Sequence, residues 1–173
     1  MTTSIGAAPV GTAPVGTVPT GARPTGTALA PGEAPGLSIV LSSLSSDSHT
    51  WNLVYLQLWL EELGHRVHNL GACVPDDLLL DECLRTRPDL VVISSVNGHG
   101  FIDGTRLIAR FRAVPELAGT PMTIGGMLGI DGPDGQRRKA LLLASGYTAV
   151  FDSGERMPAF RSFLARLTAG VAA

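Results

Sequence analysis

The residues most able to do chemistry sit in three short runs. Ser46, Asp47, Ser48, His49 and Thr50 form the first. Ser94, Ser95, Val96, Asn97, Gly98, His99 and Gly100 form the second. Gly125, Gly126, Met127, Leu128 and Gly129 form the third. In the first run a carboxylate lies two residues before a histidine. Asp47 is placed to accept one imidazole N–H, which would fix the tautomer of His49 and make the other nitrogen a better metal ligand. The alternative is that Asp47 caps a following helix and His49 is an ordinary surface residue.

These runs need a scaffold, and the hydrophobic pattern supplies one. Leu37 to Leu44 is a short apolar, β-branched strand. Leu53, Leu56, Leu60 and Leu63 recur at intervals of three and four, which predicts a helix over 50–63 ending at Gly64. A strand follows from His65 to Leu70. Pro75 opens a second helix, with Asp76 and Asp77 complementing its dipole, and that helix ends before Pro88. Asp89 to Val96 is nearly all apolar at its start, as in a sheet covered on both faces. Then come a helix over 102–112, a strand over 122–124 running into Gly125 and Gly126, a helix over 136–144, a strand over 149–151 and a helix over 155–167. Strand and helix alternate five times. This predicts an α/β domain, a Rossmann-like (flavodoxin-like) doubly wound five-stranded parallel sheet with flanking helices. In such sheets ligands bind beyond the carboxyl ends of the strands, where all three runs fall.

Residues 1–36 differ in kind. Gly, Thr, Pro and Val recur there without amphipathic period, so this segment is expected to be a disordered tail before a domain over 37–173. It lacks the basic start and compact apolar stretch of a signal peptide. No apolar run approaches the roughly 20 residues that span a bilayer. The formal net charge is −2, which gives no electrostatic case for nucleic acid or an anionic membrane. Two cysteines, Cys73 and Cys83, make no disulfide framework, and a reducing, cytoplasmic setting is the expectation. Both are expected to be small core residues. His65 and His68 are expected to be structural or exposed, His99 a rim residue, and Trp59 a packing residue.

Taken together, SDSH after the first strand, SSVNGHGFID after the third and TIGGML after the fourth resemble the cobalamin-binding domain family. The resemblance is to the small (sigma) subunit of glutamate mutase in particular, and it spans about residues 38–155. That family carries Asp-x-His-x-x-Gly, Ser-x-Leu and Gly-Gly in these loops. The resemblance implies that His49 is the axial ligand to cobalt and that Asp47 bonds it. It implies that Ser94 and Val96 line the pocket of the detached benzimidazole, and that Gly125 and Gly126 let the nucleotide tail pass close to the main chain. Ser46, Ser48, Thr50, Ser95, Met127 and Leu128 would complete the surroundings. Two positions depart from the pattern: Val96 replaces a leucine, and Asn52 replaces the last glycine of the first motif, beside the bulky Trp51. The implied cofactor is adenosylcobalamin. The implied partner is a large catalytic mutase subunit, and the implied reaction is the isomerisation of glutamate to 3-methylaspartate. A non-catalytic cobalamin carrier or sensor, and a relative without cofactor, are the other readings. A phosphoacceptor role for Asp47 finds no support: the first strand has no acidic residue, and Lys139, the only lysine, falls in the fourth helix.

Overall fold

The computed structural model describes residues 36–129, 134–152 and 156–171. Two units partition the chain, Met1–Pro31 and Gly32–Ala173. The first lies outside the described residues, as does the expected tail except for Gly36.

Ten elements alternate: β1 (Ser38–Ser42), α1 (Trp51–Glu62), β2 (Arg66–Asn69), α2 (Asp76–Thr86), β3 (Leu90–Ser95), α3 (Gly100–Ala113), β4 (Met122–Gly126), α4 (Gly135–Ala144), β5 (Ala149–Phe151) and α5 (Arg156–Val171). The sheet order is β2-β1-β3-β4-β5 and every pairing is parallel. This is the doubly wound, flavodoxin-like order that the alternating pattern predicts, and its strand order reverses between β1 and β3.

Alternation along the strands divides the core into two layers. Val40, Val91, Ile93, Met122 and Ile124 pack with residues of α2, α3 and α4, including Leu79, Ile108, Phe111 and Leu142. Ile39, Leu41, Leu90 and Val92 face the other way, onto Leu53 and Leu60 of α1 and Phe160 and Leu164 of α5. All of β3 is buried, as a central parallel strand covered on both faces must be.

Several boundaries moved, each for a local reason. β1 stops at Ser42, because the Ser43 amide turns to the Gly71 carbonyl at 3.2 Å. α3 begins at Gly100 instead of residue 102. A Cβ at Gly100 would lie 2.8 Å from Cδ2 and 3.1 Å from Cα of Leu128, so this helix start packs closely against the loop after β4. α2 ends before Pro88 as expected, with Arg87 as its C-cap in left-handed geometry (φ 48°). Glu155, the expected first residue of the last helix, lies outside the described residues.

The histidines and cysteines away from the three runs resolve differently. His65 is buried and its Nδ1 accepts the Leu37 amide at 3.2 Å, while His68 is exposed near Glu82. Burial holds the His65 ring below its ordinary pKa. Cys83 is a core residue whose thiol is pushed up to about 12, by burial first and then by Glu82. Cys73 is not in the core: it is exposed in the β2–α2 loop, at φ 53°. Trp59 packs against Phe160 with ring centroids 5.7 Å apart.

Candidate functional site

The loop after β1 is organised around one buried carboxylate. Asp47 is fully buried although its neighbours Ser46, Ser48, His49 and Thr50 are exposed. Its Oδ1 accepts the His49 amide at 3.0 Å and meets His49 Nδ1 at 2.7 Å. Its Oδ2 accepts the Val96 amide at 2.6 Å. Its own carbonyl accepts the Cys73 amide at 2.9 Å and the Ser43 hydroxyl at 3.0 Å. Burial raises the carboxyl's pKa, but the Val96 and His49 amides, the His49 ring and the Ser95 hydroxyl outweigh it and hold Asp47 below the ordinary carboxylate range.

This settles the tautomer. An ionised carboxylate only accepts hydrogen bonds, so the proton between the two side chains belongs to Nδ1 of His49. In the neutral ring, Nε2 then carries the lone pair. The His49 side chain is 47% exposed, so the ring is oriented without being enclosed. Asp47 does not cap α1. The N-cap is Thr50, without a side-chain cap bond; its carbonyl accepts the Leu53 and Val54 amides.

Among the described residues no group of three or more His, Cys, Asp and Glu could hold a bare metal ion. A single oriented histidine suits a metal that brings its remaining ligands with it.

The second and third runs lie beside the first. Register pairs Ser94 with Gly125 and Ser95 with Gly126. Met127 is exposed, and its amide bonds the Ser95 carbonyl at 2.8 Å. Leu128 is buried in the core, and its carbonyl accepts the Phe101 amide. His99 is the N-cap of α3, on the rim of a hollow of about 360 Å³ shared with Phe101, Ile102, Leu128 and Arg138.

A cleft of about 160 Å³ opens between α1, the ends of β3 and β4, and α5. Trp51, Tyr55, Val96, Phe151, Met157 and Phe160 give it apolar walls; Ser94, Thr123, Gly125 and Gly126 line its sheet side. Asn52 also lines it, at 5% exposure. Its Nδ2 donates to Ser94 Oγ at 2.8 Å, while its Oδ1 is buried without a partner. An unpaired buried acceptor costs about 1–3 kcal/mol.

Gly125 and Gly126 also have reasons internal to the sheet. Gly126 has φ +116°, and a Cβ there would lie 1.9 Å from the Ser95 carbonyl oxygen. A Cβ at Gly125 would lie 2.9 Å from the Phe151 carbonyl oxygen.

Sequence reasoning singled out Ser46 and Asn97 but not the bonds by which they and Arg106 fasten the loops together. Asn97 Nδ2 donates to the carbonyl and hydroxyl oxygens of Ser46 at 2.9 and 3.0 Å, and its Oδ1 accepts the His99 amide. Ser46 Oγ donates to Asp103 at 2.5 Å. Arg106 then joins Asp103, both oxygens of the buried Asp76, and Ser45. The one available signal was local: Asp103 and Arg106 stand three apart on α3, at ion-pair spacing. Their partners on the β1 loop and α2 are distant in sequence.

Comparison with known proteins identifies the family. The B12 binding domain family matches residues 37–159. The glutamate mutase sigma subunit of Carboxydothermus hydrogenoformans is 30% identical over 118 residues, 68% of this chain and 85% of that protein. The HTH-type transcriptional repressor CarA of Myxococcus xanthus is 32% identical over 100 residues, 58% of this chain and 34% of that protein. Among solved structures, a cobalamin-binding protein from Desulfitobacterium hafniense superposes with a TM-score of 0.62 at 18% identity, over 76% of this chain and 59% of that one, a likeness of fold. The chain belongs to the B12-binding domain family. Within it, the chain is related to the sigma subunits of glutamate mutase.

Proposed function

We propose that this chain is the cobalamin-binding small subunit of an adenosylcobalamin-dependent glutamate mutase, presenting the cofactor to a large catalytic subunit for the rearrangement of glutamate to 3-methylaspartate. The observation that carries the reading is the Asp47–His49 pair, at the carboxyl edge of β1 beside the point where strand order reverses. A histidine held through Nδ1 would offer Nε2 to the cobalt of a corrinoid, which would bring its other ligands with it.

The residues present fit the group. Asp47 fixes the ligand's tautomer and direction. Val96, Ser94 and the two glycines line a cleft with aromatic walls that would receive the nucleotide tail and exclude water from it. Ser46, Ser48 and Thr50 expose the rim of the histidine loop, and Met127 is exposed at the end of β4; Ser95 backs Asp47, while Leu128 is buried in the core and does not line the cleft. Adenosylcobalamin, when bound, supplies the radical chemistry, and the protein contributes ligation, orientation and exclusion of solvent. His49 is a ligand in this scheme, not a general acid or base.

The test is electron paramagnetic resonance of the Co(II) form bound to the chain carrying nitrogen-15 histidine. Superhyperfine coupling to a histidine nitrogen, lost in His49→Ala, is the expected result. Addition of a large glutamate mutase subunit is then expected to yield methylaspartate. Absence of cobalamin binding with and without that subunit would sink the reading.

The similarity to CarA favours a second reading, a cobalamin carrier or sensor without turnover. Retained cobalamin binding with no methylaspartate in the presence of the large subunit would decide for it.

A further inference from the structure

We infer that Asn52 and Ser94 form a hydrogen-bonding site for the base of a cobamide's nucleotide tail, and that the site prefers a 6-aminopurine base to dimethylbenzimidazole. The inference rests on the cobalamin-binding reading of the same cleft.

Asn52 is the second residue of α1, and its side chain is turned inward, with 5% exposure, against the end of β3. Its Nδ2 is used on Ser94 Oγ, and its Oδ1 has no partner. Ser94 is equally buried. Its oxygen receives the Asn52 proton, so its own hydroxyl proton remains to be donated. The pair therefore holds one acceptor and one donor in the wall of a cleft that also includes Trp51, Tyr55, Phe151 and Phe160, and a base entering the cleft would have to part that wall to reach Oδ1.

Aromatic walls stack any base, so they do not discriminate between bases. The polar pair does. Dimethylbenzimidazole has no N–H to give, and beside it Oδ1 stays unpaired. A 6-aminopurine carries an amino donor next to a ring-nitrogen acceptor, which would pair with Oδ1 of Asn52 and the Ser94 hydroxyl, Asn52 Nδ2 being already committed to Ser94. A site built to receive an N–H penalises the analogue that lacks one, because the buried partner is left unsatisfied. The glycine expected here from the family pattern would offer neither group. The rival account is that Asn52 fills the space of the base, a plug in a cleft of only about 160 Å³.

The experiment is a titration of the full chain with hydroxocobalamin and, separately, with the adenine-containing cobamide. Quenching of Trp51 and Trp59 fluorescence by the corrin reports binding without any turnover. The wild-type chain is expected to bind the adenine form about tenfold more tightly or better. Asn52→Gly and Asn52→Ala are expected to weaken the adenine form until the two affinities are close, and Ser94→Ala to reduce the preference in part. Equal affinities in the wild-type chain would overturn the inference while leaving cobalamin binding intact, and need no variant to interpret. So would tightening of both forms in Asn52→Gly, which is the signature of a plug. Binding of neither cobamide by the wild-type chain or Asn52→Gly would overturn the cobalamin-binding reading and this inference with it.

Discussion

One oxygen of Asp47 holds both the amide and the ring of His49, at 3.0 and 2.7 Å, while its other oxygen holds the Val96 amide at 2.6 Å. The direction of the histidine is thus referred to β3, the central strand, and not to its own loop. In Asp47→Asn, one of the two oxygens becomes an NH₂ facing an N–H donor. We expect a loss of about 1–3 kcal/mol in urea unfolding and a fall of about 10–100-fold in cobalamin affinity. Unchanged affinity would show that His49 needs no orienting partner.

Acid stability is expected to fall in two windows. His65 titrates below its ordinary value in the folded chain, so the unfolded chain binds more protons as pH drops. Its contribution is complete above about pH 6.5 and is lost as pH falls from there through the lowered value. Asp47 is likewise depressed, so its contribution is complete above the ordinary carboxylate pKa of about 3.9 and is lost as pH falls through the lower folded value. Melting temperature of the apo chain, followed from pH 8 to pH 3, checks both. His65→Gln should remove the upper decline and leave the lower one; a decline unaltered by that variant would show that another group titrates there.

Arg106 ties the β1 loop to α2 and α3 through Ser45, Asp76 and Asp103. Because its side chain is 46% exposed, solvent screens much of the attraction. Arg106→Ala is expected to cost about 1–2 kcal/mol, chiefly by leaving the buried Asp76 with only a long contact to Arg110 at 3.5 Å. Arg106→Lys should recover little, since a point charge cannot reproduce the fork on Asp76. Denaturant unfolding at two salt concentrations separates the screened part from the rest.

Gly126→Ala should destabilise by about 3 kcal/mol or more. The new Cβ meets the Ser95 carbonyl oxygen at 1.9 Å, and φ of +116° is strained for any L side chain. Circular dichroism melting of the apo chain measures this without cofactor. A variant as stable as wild type would mean that β3 and β4 can separate at their ends.

The fold was legible because each element announced itself locally. The apolar run of β3 and the leucine spacing of α1 need no distant partner to be recognised. The Asp47–His49 pair was legible for the same reason, being two residues apart. What escaped was whatever the topology brings together. Phe151 and Phe160 reach the cleft wall opposite Trp51 only because β5 and α5 return to that side of the sheet. Asn97 meets Ser46 across 51 residues, through the β1–β3 adjacency. α1 was expected to be amphipathic, but Trp51, Val54, Tyr55 and Leu58 are exposed apolar residues on it. Leucine spacing marks the buried stripe and says nothing of the opposite face.

The clasp around Asp47 has a consequence for the kinetics of ligation. A side chain whose rotamer is fixed during folding has little freedom left to lose when a metal arrives, so the ordering cost is separated in time from binding. If the chain binds a corrinoid as proposed, the ring that meets the metal is already set in place by Asp47 before the metal arrives.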